Sequence, residues 1–433
     1  MSTLPSDHPS RIAVTNELHA RPFAQIEAPC RISHLAIACE AGQFDEMADH
    51  LLALCERFGA PRPADGAAQI ILDLGRFRLK WERHTEFIAV TVIAGPDAPG
   101  ATPFASPALE LLPREWRARM PGSILAAVHV HCETRSGEPG GPMPAHLGSS
   151  FNRDSLIGGS VADGAARFFG DFRIHEDGFT RFAIVCRADP GESSLGRLVQ
   201  QLIEVETYRT AAMLTLPEAR GLWPRLNEID AALAQATGAI GRHSPEGERE
   251  VLDSITALSA EIERVTARNA FRLDAADAYA AIAWSRIEVL SGAPIPGVVD
   301  LAGFMLRRFD PAMRSCAATR ARLESLSERA TRAATLLRTR IDVAMEEQNR
   351  AVLASLNERS ALQLRLQETV EGFSVVAIGY YAVGLAALVL APLAARAGVS
   401  ESWVKGLVVG PILLVVWLFL RRVKARAMRP PER

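Results

Sequence analysis

The spacing of apolar positions changes near residue 192. Before it, short β-branched runs recur at 32–39 (ISHLAIAC), 69–74 (QIILDL), 86–93 (EFIAVTVI), 124–132 (ILAAVHVHC) and 181–187 (RFAIVCR). Turn-rich stretches such as PDAPG at 96–100 and PGG at 139–141 separate them, so each run predicts a strand. Phe44, Met47, Leu51, Leu54 and Phe58 recur at helical spacing and predict a helix over about 43–57. Residues 135–150 (RSGEPGGPMPAHLGSS) read as a long surface loop. Residues 1–192 are thus predicted to form an α/β domain. From about 194 the apolar residues recur at three and four, predicting helices over about 194–214, 218–237, 246–291, 298–308 and 311–372. Pro217, Pro224 and the Ala-Pro-Ile-Pro stretch at 293–296 are expected to punctuate them. Leu323, Leu326, Ala330, Ala333, Leu337, Ile341 and Ala344 form a coiled-coil-like seam on the last helix. No proline lies between Pro311 and Pro392, so that helix is expected to run on as one very long stalk.

The stalk leads into residues 373–395, FSVVAIGYYAVGLAALVLAPLAA, which carry no charge. As a helix, a segment of this length rises about 35 Å, enough for a hydrocarbon core of about 30 Å. After RAGVSES at 396–402, residues 403–420 (WVKGLVVGPILLVVWLFL) form a second apolar segment, with Pro411 as an expected kink. Lys405 sits where it can snorkel, and Trp403 and Trp417 lie toward the ends as interfacial aromatics do. In the first segment Ser374, Tyr380 and Tyr381 are polar, while Gly379 and Gly384 permit close helix contact; these five are the candidate pore or helix-packing residues.

Charge sets the expected orientation. The net charge of the 433 residues is only −2, which gives no footprint for nucleic acid. Yet the last 13 positions hold six Lys/Arg and one acid. By the positive-inside rule the tail is cytoplasmic, and two crossings put residues 1–372 there too. The expected location is a membrane, with both termini cytoplasmic and the lipid bilayer as partner. Six cysteines without a CxxC pair, and an N-terminus without an apolar h-region, agree with a reducing cytosolic head. The fold class expected is an α+β membrane protein: a cytosolic α/β domain (1–192), a helical domain with a stalk helix (193–372), a two-helix transmembrane hairpin (373–420) and a basic cytoplasmic tail (421–433).

Candidate chemistry is concentrated in the first domain. Asn16, Glu17, His19 and Arg21 crowd NELHARPF (16–23), which reads as a turn docking on the α/β domain. In WERHTEF (81–87), strand alternation would bring Glu82, His84 and Glu86 to one face, a set able to hold a divalent cation. Cross-strand pairing with Arg76 and Arg78 is the alternative. His129 and His131 share a strand face in VHVHCE and could also share a metal. In FGDFRIHEDGFTRF (169–182), Glu176, Asp177 and Gly178 read first as a turn between strands, near Asp171 and His175. No Walker loop, GxGxxG, HExxH or GxSxG occurs, which disfavours the common enzyme classes.

Six stretches carry a family resemblance: NELHARPF (16–23), KWERHTEF (80–87), RIHEDGFTRF (173–182), QQLIEVETYR (200–209), LRTRIDVAMEEQN (337–349) and LQLRLQETVEGFSVVAIGYYAVGL (362–385). Together they resemble domain-of-unknown-function family 3422, bacterial proteins described as uncharacterised and membrane-anchored. The resemblance spans nearly the whole chain and transfers no catalytic residue. The architecture also looks like that of CorA-type cation channels, homopentamers whose first spans line the pore. Their Gly-Met-Asn signature is replaced here by APLAARAGVSES at 391–402. This likeness implies a homo-oligomeric ion channel or transporter with a cytosolic sensor domain. The competing expectations are a membrane-tethered scaffold or signalling protein, and a tethered enzyme with a pocket joining His84 or His129 to carboxylates.

Overall fold

A computed structural model of the chain describes residues 7–17, 22–64, 66–96, 102–135, 141–187, 192–240, 245–396 and 400–427. The chain divides into two units, one of residues 1–240 with 251–334 and one of residues 241–250 with 335–433. The first unit opens with helix α1 (Arg11–Glu17), strand β1 (Cys30–Ala38) and helix α2 (Gln43–Phe58). Strands β2 (Gln69–Asp73), β3 (Phe77–Arg83) and β4 (Phe87–Ala94) follow, then helix α3 (Arg114–Ala118) and β5 (Ser123–Thr134). The sheet is completed by β6 (Ile157–Val161), β7 (Ala166–Gly170) and β8 (Thr180–Cys186). Its eight strands lie in the order β2-β3-β4-β1-β5-β8-β7-β6. All described pairings are antiparallel except β5 with β8.

The sheet is covered on both faces. On one side, Leu35, Ile37, Leu79, Trp81, Val90 and Val92 pack with Phe44, Met47, Leu51 and Leu54 of α2. On the other, Ala36, Phe87, Ala89 and Ala126 meet Tyr208 and Tyr279 of two later helices. Burial from both sides explains why β1 and β4 read as nearly continuous apolar runs. Those helices are α4 (Glu192–Met213) and α6 (Pro245–Leu290), with α5 (Thr215–Ala239) between them in sequence. Then come α7 (Leu301–Arg308), the 87-residue α8 (Asp310–Arg396) and α9 (Glu401–Ala427).

The expected seam is buried at Leu323, Leu326, Ala330, Ala333 and Leu337, and α8 continues unbroken past residue 372. Pro217 lies in the first turn of α5, where its missing N–H costs nothing. Pro224 lies inside α5 and does not end it, contrary to the expected punctuation. In the second unit, α8 contains a segment long and apolar enough to cross a membrane, with 11% of it buried. Residues 405–419 form a shorter apolar helix, so two spans are an expectation that length and composition meet once among the described residues. A Cβ on Gly379 would lie 2.7 Å from Leu413, so α8 and α9 approach closely there.

Candidate functional site

The cavity that gathers the most chemistry in the first unit lies between the sheet and α4, with a volume of about 290 Å³. Its floor comes from strand register. His34 of β1 stands opposite Thr91 of β4, and Thr91 opposite Lys80 of β3. The pleat turns all three toward the same face, with Glu82 two positions on from Lys80. His34, Lys80, Glu82 and Thr91 are all buried. The wall is α4, whose Gly196, Val199, Gln200, Ile203, Glu204, Thr207 and Tyr208 recur at helical spacing and line the cavity. Arg286 of α6 closes one side.

The polar groups form one chain of contacts. Lys80 Nζ lies 2.9 Å from Glu82 Oε1 and donates to Gln200 Oε1 at 3.1 Å. Gln200 Nε2 donates to Glu204 Oε1 at 2.7 Å, and Arg286 Nε donates to Glu204 Oε2 at 2.5 Å. His34 lies apart from this chain. Its Nδ1 is 2.8 Å from Thr91 Oγ1 and its Nε2 is 3.4 Å from Thr207 Oγ1. Burial, with Lys80 and His84 adding to it, lowers the His34 pKa to about 3, so the ring is neutral. Phe23, Ile26, Phe87, Ile93 and Ile203 supply the apolar lining.

A segment at 22–27 roofs the cavity. Gln69 Nε2 donates to Pro22 O at 3.1 Å and Arg78 donates to Gln25 O. The segment crosses α4 at Gly196, where an added Cβ would lie 1.9 Å from Ala24 O. No side chain fits there, so the crossing requires glycine. Arg197 sits over the Phe23 ring at 5.2 Å. NELHARPF therefore contributes its last two residues, Pro22 and Phe23, to the roof. Asn16 and Glu17 end α1, while residues 18–21, with His19 and Arg21, lie outside the described residues.

The divalent-cation sets do not assemble. β3 ends at Arg83, so His84 and Glu86 leave the strand alternation that would have aligned them with Glu82. Glu82 pairs with Lys80. Glu86 accepts from Arg272 Nη1 at 2.7 Å and from the Tyr279 hydroxyl of α6. Burial and that carboxylate raise the Tyr279 pKa. His84 stacks on Phe87 and also lines the cavity. The alternative reading had Arg76 and Arg78 as partners; instead Glu82 pairs along the strand with Lys80 and Glu86 pairs with Arg272.

On the opposite sheet face, His129 Nδ1 lies 2.9 Å from Ser33 Oγ and its ring stacks on Phe179. Burial is the main reason its pKa falls to about 4, with Asp177 opposing and Arg181 assisting. His131 lies 3.6 Å from Glu133, which His146 contacts at 2.7 Å. Among the described residues no three His, Cys, Asp or Glu are grouped to hold a metal. Glu176, Asp177 and Gly178 form a turn between β7 and β8, as expected: His175 N donates to Phe179 O across it, and the φ of Gly178 is +84°. Asp171 accepts from Asn152 N and Arg173 N and sits 3.2 Å from His175, which ties that turn down.

Of the five candidate pore or helix-packing residues, Gly379 lies close to Leu413 and Ser374 Oγ donates to Val370 O of its own helix. Tyr380 and Tyr381 stand 78% and 71% exposed, and Gly384 has open space beside it. Sequence reasoning named Glu82 and His84 but missed His34, Lys80, Thr91, Gln200, Glu204 and Arg286. For His34, Lys80 and Thr91 the signal was a polar residue within an apolar strand run, which acquires meaning only once strand register is known; Gln200, Glu204 and Arg286 lie on α4 and α6 and read as ordinary polar helix positions.

The family described as Protein of unknown function (DUF3422) matches residues 6–427. No curated protein and no solved structure matches the chain, so the likeness to CorA-type channels finds no support. Three of the stretches that carried the family resemblance, those ending in Phe23, starting at Lys80 and starting at Gln200, meet at the cavity.

Proposed function

The chain belongs to the DUF3422 family, and we propose that it is a membrane-anchored protein whose first unit binds a small polar ligand in the cavity beneath α4, as the sensor of a tethered signalling protein. The observation that carries this reading is the roofed cavity of about 290 Å³ with a buried Lys80–Glu82 pair on its floor. Such a pair is costly to bury and contributes little net stability, so its presence calls for a use. The lining joins His84 to Glu82 and Glu204, as a tethered enzyme would require. But among the described lining residues the hydroxyls beyond Tyr208, those of Thr91 and Thr207, both contact His34. Binding is the better reading. The anchor is the hairpin of 373–395 and 403–420 in a bacterial inner membrane, with both termini cytoplasmic.

A second reading, an oligomeric ion pathway, is favoured by Tyr380 and Tyr381. Two exposed hydroxyls in an apolar segment need partners when lipid surrounds them. A second copy of the chain, or a wet path between copies, would supply them. Native mass spectrometry of the full chain in lipid nanodiscs tests both readings. A small-molecule adduct lost in Gln200→Trp supports the first, and a ring of copies with ion flux in vesicles supports the second. A bare monomer without adduct or flux contradicts both.

A further inference from the structure

The polar wall of the cavity has an ordered pattern of charge. Along the contact chain stand Glu82, Lys80, the Gln200 amide, Glu204 and Arg286, so anionic and cationic groups balance. His34, held neutral by burial, adds no charge. A ligand with one net charge would bring an uncompensated ion among groups that already neutralise one another. A ligand carrying both signs would not, because each of its charges finds an opposite partner and the sum stays zero. The volume, about 290 Å³, lies just below the roughly 300–1,000 Å³ of ligand pockets, so the ligand is small. Phe23 and Ile26 of the roof, Phe87 of the floor and Ile203 of α4 add apolar lining that suits a hydrocarbon side group.

Building on the ligand-binding reading above, we propose that the ligand is a small zwitterion of the α-amino-acid class. Its carboxylate is taken by Lys80 and Arg286, its ammonium by Glu82 and Glu204, and its side group by the apolar lining. The side group is aliphatic or aromatic, to match Phe23, Ile26, Phe87 and Ile203.

The test is ligand-observed NMR on the full chain in nanodiscs with the twenty protein amino acids, followed by titration of the tightest binder. Its des-amino acid and its decarboxylated amine serve as single-charge controls. The expected result is an apolar amino acid that binds at least tenfold tighter than either control. Arg286→Gln, at the half-exposed mouth, should weaken it about tenfold, and Lys80→Met should abolish binding. If Lys80→Met fails to fold, Arg286→Gln alone decides. Equal binding by either control overturns the proposal. So does silence from all twenty amino acids while a neutral fragment library gives signals that Gln200→Trp removes; the cavity would then bind, but not zwitterions. If no fragment signal depends on Gln200, the ligand-binding reading itself fails.

Discussion

At the scale of single residues, the account rests on groups that burial makes unforgiving. Lys80 and Glu82 are both buried, so Lys80→Met strands a carboxylate and should cost about 3–5 kcal/mol. Adding Glu82→Leu to it should recover most of that loss, as denaturant unfolding of the two variants would show. Gly196→Ala drives a methyl into Ala24 O and should cost at least about 1–3 kcal/mol. Gly221→Ala, in α5 with nothing within 4 Å, should gain about 0.5–1 kcal/mol in the same assay. His34 and His129, with pKa values of about 3 and about 4, bind fewer protons folded than unfolded below the ordinary 6.5. Stability is therefore full above pH 6.5 and drains as the pH falls toward about 4 for His129 and about 3 for His34. Glu133 and Asp177, whose pKa values are lowered, pull the same way at the acid end. The thermal midpoint should fall across that window, and His34→Gln should flatten the slope.

At the scale of elements, what was legible in the sequence depended on how many residues voted for a period. α4 to α8 were readable because their apolar residues recur over many turns, as with Leu323 to Leu337. β6 and β7 were not, because IGGSV and ARFFG are short and glycine-rich. Those glycines answer to packing: a Cβ on Gly158 would lie 2.5 Å from Phe168 O. β3 was half-seen, since FRLKWER puts Arg78, Lys80 and Glu82 on a face that only a covering helix makes interior. The cavity itself was not legible, because His34, Thr91 and Lys80 become neighbours through the register of three strands. The exposure of α8 changes along its length. Its residues up to Leu337 are repeatedly buried, whereas Val352, Leu353, Leu356, Leu364 and Leu366 are exposed. A helix without packing partners is marginal in water, so amides at 345–366 should exchange with deuterium faster than those at 315–337.

At the scale of the whole molecule, the central claim is that one chain joins a ligand-binding unit to a membrane anchor. The anchor is the premise for the rest, since it decides where the ligand is sensed and whether Tyr380 and Tyr381 face lipid. It is tested most directly by washing cell membranes at alkaline pH and following the full chain, beside a variant that carries Leu385→Arg and Leu388→Arg in the first apolar segment and Leu413→Arg and Leu414→Arg in the second. Each arginine at the centre of a span costs about 2.5–3.5 kcal/mol on insertion scales, enough to keep the segment out of the bilayer. The account predicts that the wild-type chain stays in the membrane pellet and the variant moves to the supernatant. A wild-type chain that washes off with the peripheral proteins would contradict it.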